Sequence, residues 1–181
     1  MEQPWPRQWV HDYEVGKHPV RWRQRASSRD GIFAGAGFLA PAGLQQTWTL
    51  ATDYSDLGTM TPGVSTVRFL EQTPSRQVVQ IDVKVLWRTL TLTFEIEQEA
   101  PHAIRFRLVN KELGEYRGVC LMRPEGAQTA LELATWLKPA VRVPSGLVLW
   151  VERMVLLQGI RNFLKACEQR LDQVGAPEPA T

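Results

Sequence analysis

Cysteine is scarce: Cys120 and Cys167 are the only two in 181 residues. That excludes a disulfide-stapled scaffold and any zinc site built mainly from thiolates. Histidine is nearly as rare, with His11, His18 and His102 far apart in the chain. No His-Glu-x-x-His motif occurs. The glycines from Gly31 to Gly37 follow neither the Gly-x-Gly-x-x-Gly order nor a loop closed by Lys-Ser/Thr. Metal hydrolysis and nucleotide binding therefore have no support, and no cofactor or metal is expected. Charge of one sign is missing too: 21 Lys plus Arg against 19 Asp plus Glu leave +2, too even for specific nucleic-acid binding.

Long uncharged apolar runs are absent as well. A membrane-spanning helix needs roughly 18 such residues, and Val148–Leu157, the nearest approach, is broken by Glu152 and Arg153. The first residues carry Glu2, Pro4, Pro6 and Arg7 rather than the apolar stretch of a secretory signal, so the cytosol is the expected compartment. Apolar residues at 44% and charged residues at 22% are ordinary for a globular chain and exclude global disorder.

Residues 1–28 read as an irregular arm. Pro4, Pro6 and Pro19 interrupt regular structure, while Trp5, Trp9 and Trp22 alternate with Arg7, Arg21, Arg23 and Arg25. Such an arm lays its indoles on the domain, or touches a membrane surface transiently. Ile32–Leu39 reads as a strand whose Gly35 and Gly37 imply close approach of another backbone or a helix. Ala40-Pro41 opens a helix running to Thr52 with Leu44, Thr47, Trp48 and Ala51 on one face. A short turn, Tyr54–Gly58, follows.

Alternation with period two then marks strands. They are read at Ser65–Glu71, Gln77–Leu86, Thr89–Glu97, Ile104–Val109, Tyr116–Arg123 and Thr129–Leu137. Val79, Ile81 and Val83 oppose Gln80, Asp82 and Lys84; Leu90, Leu92, Phe94 and Ile96 oppose threonines and glutamates. A helix over about 146–172 ends the domain, with an apolar stripe of Val148, Val151, Val155, Ile160, Phe163, Cys167 and Leu171. Gly159 sits in mid-stripe, and residues 175–181 are read as a frayed tail.

This order predicts an α+β fold: a curved antiparallel sheet of six to seven strands around a long C-terminal helix, with two short helices after the first strand. A sheet that wide exceeds one helix, so it must curl around it, and a curled sheet diverges from the helix and leaves an apolar space. Val79, Ile81, Val83, Leu90, Leu92, Phe94, Phe106 and Leu108 from the strands, with Val155 and Gly159 from the helix, are the candidate lining.

The chain resembles the START-related (SRPBCC, helix-grip) superfamily, and within it the polyketide cyclase/dehydrase and coenzyme Q-binding protein group. The resemblance covers about residues 30–172, with the domain placed at 29–174. Its marks are Ala40-Pro41 before the helix holding Trp48, then Thr52-Asp53-Tyr54, Pro62-Gly63-Val64 and Ala100-Pro101-His102-Ala103-Ile104. Gly118 leading to Pro124, Gly126 with Thr129, and Pro144 before the long helix complete the set. The resemblance implies that Asp53-Tyr54 is structural, the aspartate organising a turn and the ring packing beneath it.

Three functions stay open. One is carriage of a hydrophobic small molecule, such as a lipid, isoprenoid quinone or polyketide-like compound, with transient membrane contact. Another, implied by the resemblance, is polyketide cyclase/aromatase or dehydratase chemistry in the same cavity, for which Tyr116 and Arg117 are the weak catalytic candidates. The third is a protein-interaction module with a filled core and a basic face of Arg68, Arg105, Arg107 and Arg123. Cys120 and Cys167 are read as buried fillers.

Overall fold

The computed structural model describes residues 8–27, 29–85 and 87–175. The alternating segments form nine strands of one sheet. They are β1 (His11–Val15), β2 (His18–Ser27), β3 (Gly31–Ala40), β4 (Val64–Gln72), β5 (Arg76–Val85), β6 (Arg88–Glu99), β7 (Ala103–Leu108), β8 (Gly114–Glu125) and β9 (Gln128–Pro139). The helices are α1 (Leu44–Ala51), α2 (Leu57–Met60) and α3 (Ser145–Gly175). Spatial order is β1-β2-β3-β9-β8-β7-β6-β5-β4, and every neighbouring pair is antiparallel. The chain thus crosses from β3 to the far edge through α1 and α2, then returns strand by strand until β9 closes on β3.

The strand count exceeds the expected six to seven because much of the expected arm is sheet. Residues 11–27 form β1 and β2. Val20 and Trp22 are fully buried, while Arg21 and Arg25 face out. Pro19 does not prevent this: β2 pairs with β3 only from Val20 onward, so the missing N–H lacks no partner on that side. Residues 1–7, including Trp5, residues 28 and 86, and residues 176–181 of the expected tail lie outside the described residues. Helix α3 itself continues through Gly175.

Two local expectations shift. Pro41 precedes α1 rather than entering it: the helix starts at Leu44, and Gly43 occupies the N-cap. What approaches Gly35 and Gly37 most closely is neither backbone nor helix. A Cβ on Gly35 would lie 2.9 Å from Arg23 Nε, and one on Gly37 would lie 2.9 Å from the Trp9 ring. Trp9 is held on the outer face of the sheet between Arg21 and Arg23, each 4.8 Å from its ring centre. Trp9 and Trp22 are therefore structural parts of the sheet.

Helix α3 packs on β1, β2 and β3 and on the two short helices. Its buried residues are Glu152, Leu156, Ile160, Leu164 and Cys167, while Val151 (43% exposed) and Leu171 (37%) turn outward. The buried stripe is rotated from the expected one because an acid occupies the centre of the buried face near the helix start. Phe163 meets Phe38 of β3 edge-on with ring centres 6.5 Å apart. Near the other end, Glu168 accepts from Lys17 and His18 of the β1–β2 hairpin, both at 2.9 Å. Thr47 and Thr129 both donate to the Ala42 carbonyl, at 3.2 and 2.8 Å, which fixes α1 against β9.

The outer face carries most of the charge, and its signs alternate across strands. Arg68 pairs with Asp82, Arg105 with Glu99, Arg107 with Glu95, and Arg76 with both Glu71 and Glu95. Arg23 pairs with Glu132. Of the basic face expected from Arg68, Arg105, Arg107 and Arg123, the first three are each paired with an acid of a neighbouring strand, and Arg123 is exposed.

Candidate functional site

Because α3 rests on the β1–β3 half, it stands away from the other half of the curled sheet. The gap is a cavity of about 340 Å³. Its floor includes Val79 and Ile81 of β5, Phe94 and Ile96 of β6, and Phe106 of β7. Its roof is Val155, Leu156, Gly159, Ile160 and Phe163 of α3, and Ala51, Tyr54, Leu57 and Thr61 close one side. Inward alternation aims the strand residues at one space, and Gly159 widens the roof by having no side chain. Gly118 matters in the same way: a Cβ there would overlap the Phe106 ring, so glycine lets that ring lie flat on the floor.

Of the ten lining candidates, Val79, Ile81, Phe94, Phe106, Val155 and Gly159 are on the wall. Val83, Leu90, Leu92 and Leu108 are not. They share the inward face but sit nearer the β5–β6 hairpin or the strand end, where Val83 and Leu92 pack against the core instead.

Tyr116 and Arg117 separate, as neighbours on a strand must. Tyr116 points into the cavity with its ring 6.2 Å from Phe94 and 5.8 Å from Phe106. Arg117 lies outside, its guanidinium 4.4 Å above the Trp136 ring, and cannot meet a ligand in the cavity.

The decisive polar group escaped sequence reading. Glu152 of α3 is 8% exposed, and its Oε1 accepts from the Tyr116 hydroxyl at 2.9 Å and from Thr135 Oγ1 at 2.7 Å. Burial pushes the Glu152 carboxyl above its ordinary range, partly offset by these two donors. Burial, with the Glu152 charge beside it, also holds the Tyr116 phenol well above its ordinary value. The one signal in the sequence was an acid interrupting an apolar run.

This arrangement has a pH signature. The folded state holds the Glu152 proton more tightly than the unfolded chain does. Its contribution is therefore most favourable below the ordinary carboxylate pKa and is lost as pH rises through the raised folded value. Glu152→Gln, which keeps the shape and an acceptor, is expected to match the wild type in urea midpoint near pH 4 and to exceed it near pH 8. Equal midpoints at both pH values would contradict a carboxyl whose ionisation burial makes harder.

Tyr54 stands at the other end of the cavity. Its hydroxyl accepts from Gln98 Nε2 at 2.7 Å, and burial pushes its pKa up to about 12. Asp53 accepts from Ser55 and organises the turn beside it. Cys120 lines the cavity and Cys167 is buried; burial lifts both thiols to about 12, so neither is a thiolate near neutrality. Among the described residues no helix is long and apolar enough to cross a membrane.

A nine-stranded antiparallel sheet wrapped on one long helix, with an apolar chamber between them, defines the helix-grip class. Residues 40–164 match the family described as polyketide cyclase/dehydrase and lipid transport, and the chain belongs to that family within the START-related superfamily. No curated protein matches it. Among solved structures it is similar to the STAR-related lipid transfer protein (fragment 25–204) from Xanthomonas axonopodis, at 13% identity and TM-score 0.71, covering 89% of this chain and 98% of that one. It is also similar to the Zhui aromatase/cyclase from Streptomyces sp. R1128, at 16% identity and TM-score 0.67, covering 87% and 99%. A START superfamily protein from Mycobacterium smegmatis aligns at 15% identity and TM-score 0.67 over 76% and 97%. Identities this low establish a common fold.

Proposed function

We propose that this protein binds and carries a single hydrophobic molecule of moderate size, such as a lipid, an isoprenoid quinone or a polyketide-like compound. The observation that carries this reading is the apolar chamber of about 340 Å³ under α3. That volume lies at the lower end of the roughly 300–1,000 Å³ typical of small-molecule pockets, which favours one compact or single-chain ligand over a two-chain lipid. Removing about 300 Å² of hydrocarbon from water supplies roughly 7 kcal/mol before association costs. The polar groups on the wall are few, and the Cys120 thiol among them is protonated. Native mass spectrometry of protein purified from cells without detergent is expected to show a bound species of a few hundred daltons, released by organic solvent. A chain that stays at its bare mass and takes up no hydrophobic probe would refute carriage.

One observation favours a second reading. The Tyr116–Glu152–Thr135 cluster places a carboxyl of raised pKa one hydrogen bond behind a cavity-facing phenol, which is an arrangement suited to moving a proton to or from a bound polyketide. Turnover of a poly-β-ketone model substrate, lost in Tyr116→Phe, would move the assignment to cyclase or dehydratase chemistry.

A further inference from the structure

We infer that the cavity is hydrogen-bonding in opposite senses at its two ends, and selects a neutral ligand that donates at Tyr116 and accepts at Tyr54. The ligand class is a mainly hydrocarbon alcohol or phenol with a remote carbonyl or ether oxygen. The inference rests on the carriage reading above and adds the chemistry of the cargo.

At the first end, the Tyr116 hydroxyl has one proton and gives it to Glu152 Oε1. Thr135 donates to the same oxygen. With that proton committed, the phenol oxygen presents only lone pairs to the cavity, so a ligand group meeting it must bring its own hydrogen. A ketone there would set acceptor against acceptor. A carboxylate would fare worse, because Glu152 lies behind the phenol and no lysine or arginine lines the wall among the described residues. A buried charge without a partner is strongly disfavoured.

At the second end the polarity reverses. Gln98 Nε2 donates to the Tyr54 hydroxyl, and among the described residues that hydroxyl's own proton has no acceptor. It is free to donate to a carbonyl or ether oxygen, and the burial of Tyr54 keeps it protonated.

Sheet register separates the two ends. Gln98, Ile104 and Cys120 are paired across β6, β7 and β8 in one row. Phe94 and Leu108 are paired in another, beside the Tyr116 ring. The rows are four residues apart along β6, about 13 Å at the rise of a strand, and the Tyr116 hydroxyl leans back toward Thr135, which the register places in the intervening Ile96–Phe106–Gly118 row. The middle of the cavity, floored by Ile96 and Phe106, is hydrocarbon. The ligand therefore needs a polar atom at each end of an apolar body.

The test uses three probes that differ only at one end: 10-hydroxydecan-2-one, 10-methoxydecan-2-one and 9-oxodecanoate. Each is titrated against Nile red bound to the full chain at neutral pH. In the wild type the hydroxy ketone should bind about 5- to 10-fold tighter than the methoxy ketone, one net hydrogen bond, and the keto acid should bind weakest. In Tyr116→Phe the hydroxy-to-methoxy ratio should fall to about one, whereas Tyr54→Phe should weaken both ketones alike. A carbon-13 ketone carbonyl should also show a lowered stretching frequency when bound to the wild type, a reading independent of any variant. Equal affinity of the hydroxy and methoxy ketones in the wild type, or a ratio that survives Tyr116→Phe, overturns the polarity while carriage stands. Failure of Nile red and of every probe to bind overturns carriage and the polarity with it.

Discussion

Gly159→Phe is expected to cut the affinity for a hydrophobic probe such as Nile red by about 100-fold or more while the protein becomes more heat-stable. Gly159 is on the roof of the cavity, so a side chain built there projects into it. A void of about 150 Å³ suffices for benzene, and a benzyl group therefore claims on the order of 40% of the 340 Å³. Two effects stabilise the variant. Replacing a mid-helix glycine by phenylalanine recovers about 0.3–0.5 kcal/mol of helix propensity, and burying the ring contributes about 2 kcal/mol. For a chain of 181 residues, each kcal/mol moves the unfolding midpoint by about 2–4 °C, so a rise of several degrees is expected. Binding and thermal stability thus move in opposite directions, which a merely damaged protein cannot imitate. A variant that binds Nile red like the wild type would show that the ligand sits elsewhere.

Trp22→Ala is expected to destabilise the protein by about 3–5 kcal/mol, the range for removing a large aromatic ring from a packed core. Trp22 is fully buried, meets Tyr13 edge-on at 6.2 Å and donates its indole N–H to Gln24 at 2.8 Å. The measurement is the urea midpoint at unchanged slope. An appendage would lose under about 0.5 kcal/mol on the same substitution, so the result decides whether the first two strands belong to the domain. This has weight because the family match begins at residue 40, where β3 ends. The strands that carry α3 on their inner face lie outside the matched segment.

Much of the sheet was legible because half-buried strands advertise themselves. Leu90 to Glu97 alternates without a break, and β6 is found there with little displacement of its ends. The same rule operates in β2, where Val20 and Trp22 alternate with Arg21, Arg23 and Arg25, but the surrounding prolines mask the pattern. Proline opposes a strand only where its missing N–H is needed, and which strand lies on that side of Pro19 is not written near it in the chain. The helix stripe is obscured for a related reason. Apolar side chains on α3 continue around its surface, Leu147 and Trp150 among the exposed ones, so periodicity alone does not single out the buried face. The residue that does, Glu152, is of a type that pattern reading assigns to water.

The candidate site was half legible. Inward positions of β5, β6 and β7 followed from alternation, and with them Val79, Ile81, Phe94 and Phe106. Which inward positions face the void, rather than the core, depends on where the helix stands above the sheet. Val83 and Leu92 have the right alternation and the wrong place along the strand. Tyr116, Thr135 and Glu152 come from β8, β9 and α3, and no local rule relates them.

The amino-acid order by itself determined the strands from β3 onward with their inward and outward faces, the long final helix, and the order of elements that a helix-grip architecture requires, because alternation and helical spacing depend on neighbours a few positions apart. Only the tertiary structure decided that β1 and β2 complete the sheet, that Arg117 turns outward onto Trp136, and that a carboxyl stands behind Tyr116. It also decided that a space remains. The width of that space is the difference between two large packed surfaces, fixed where α3 seats on Phe38 and its neighbours and left over where the sheet bends away. A difference of that kind is a property of the assembled molecule, not of any segment of it.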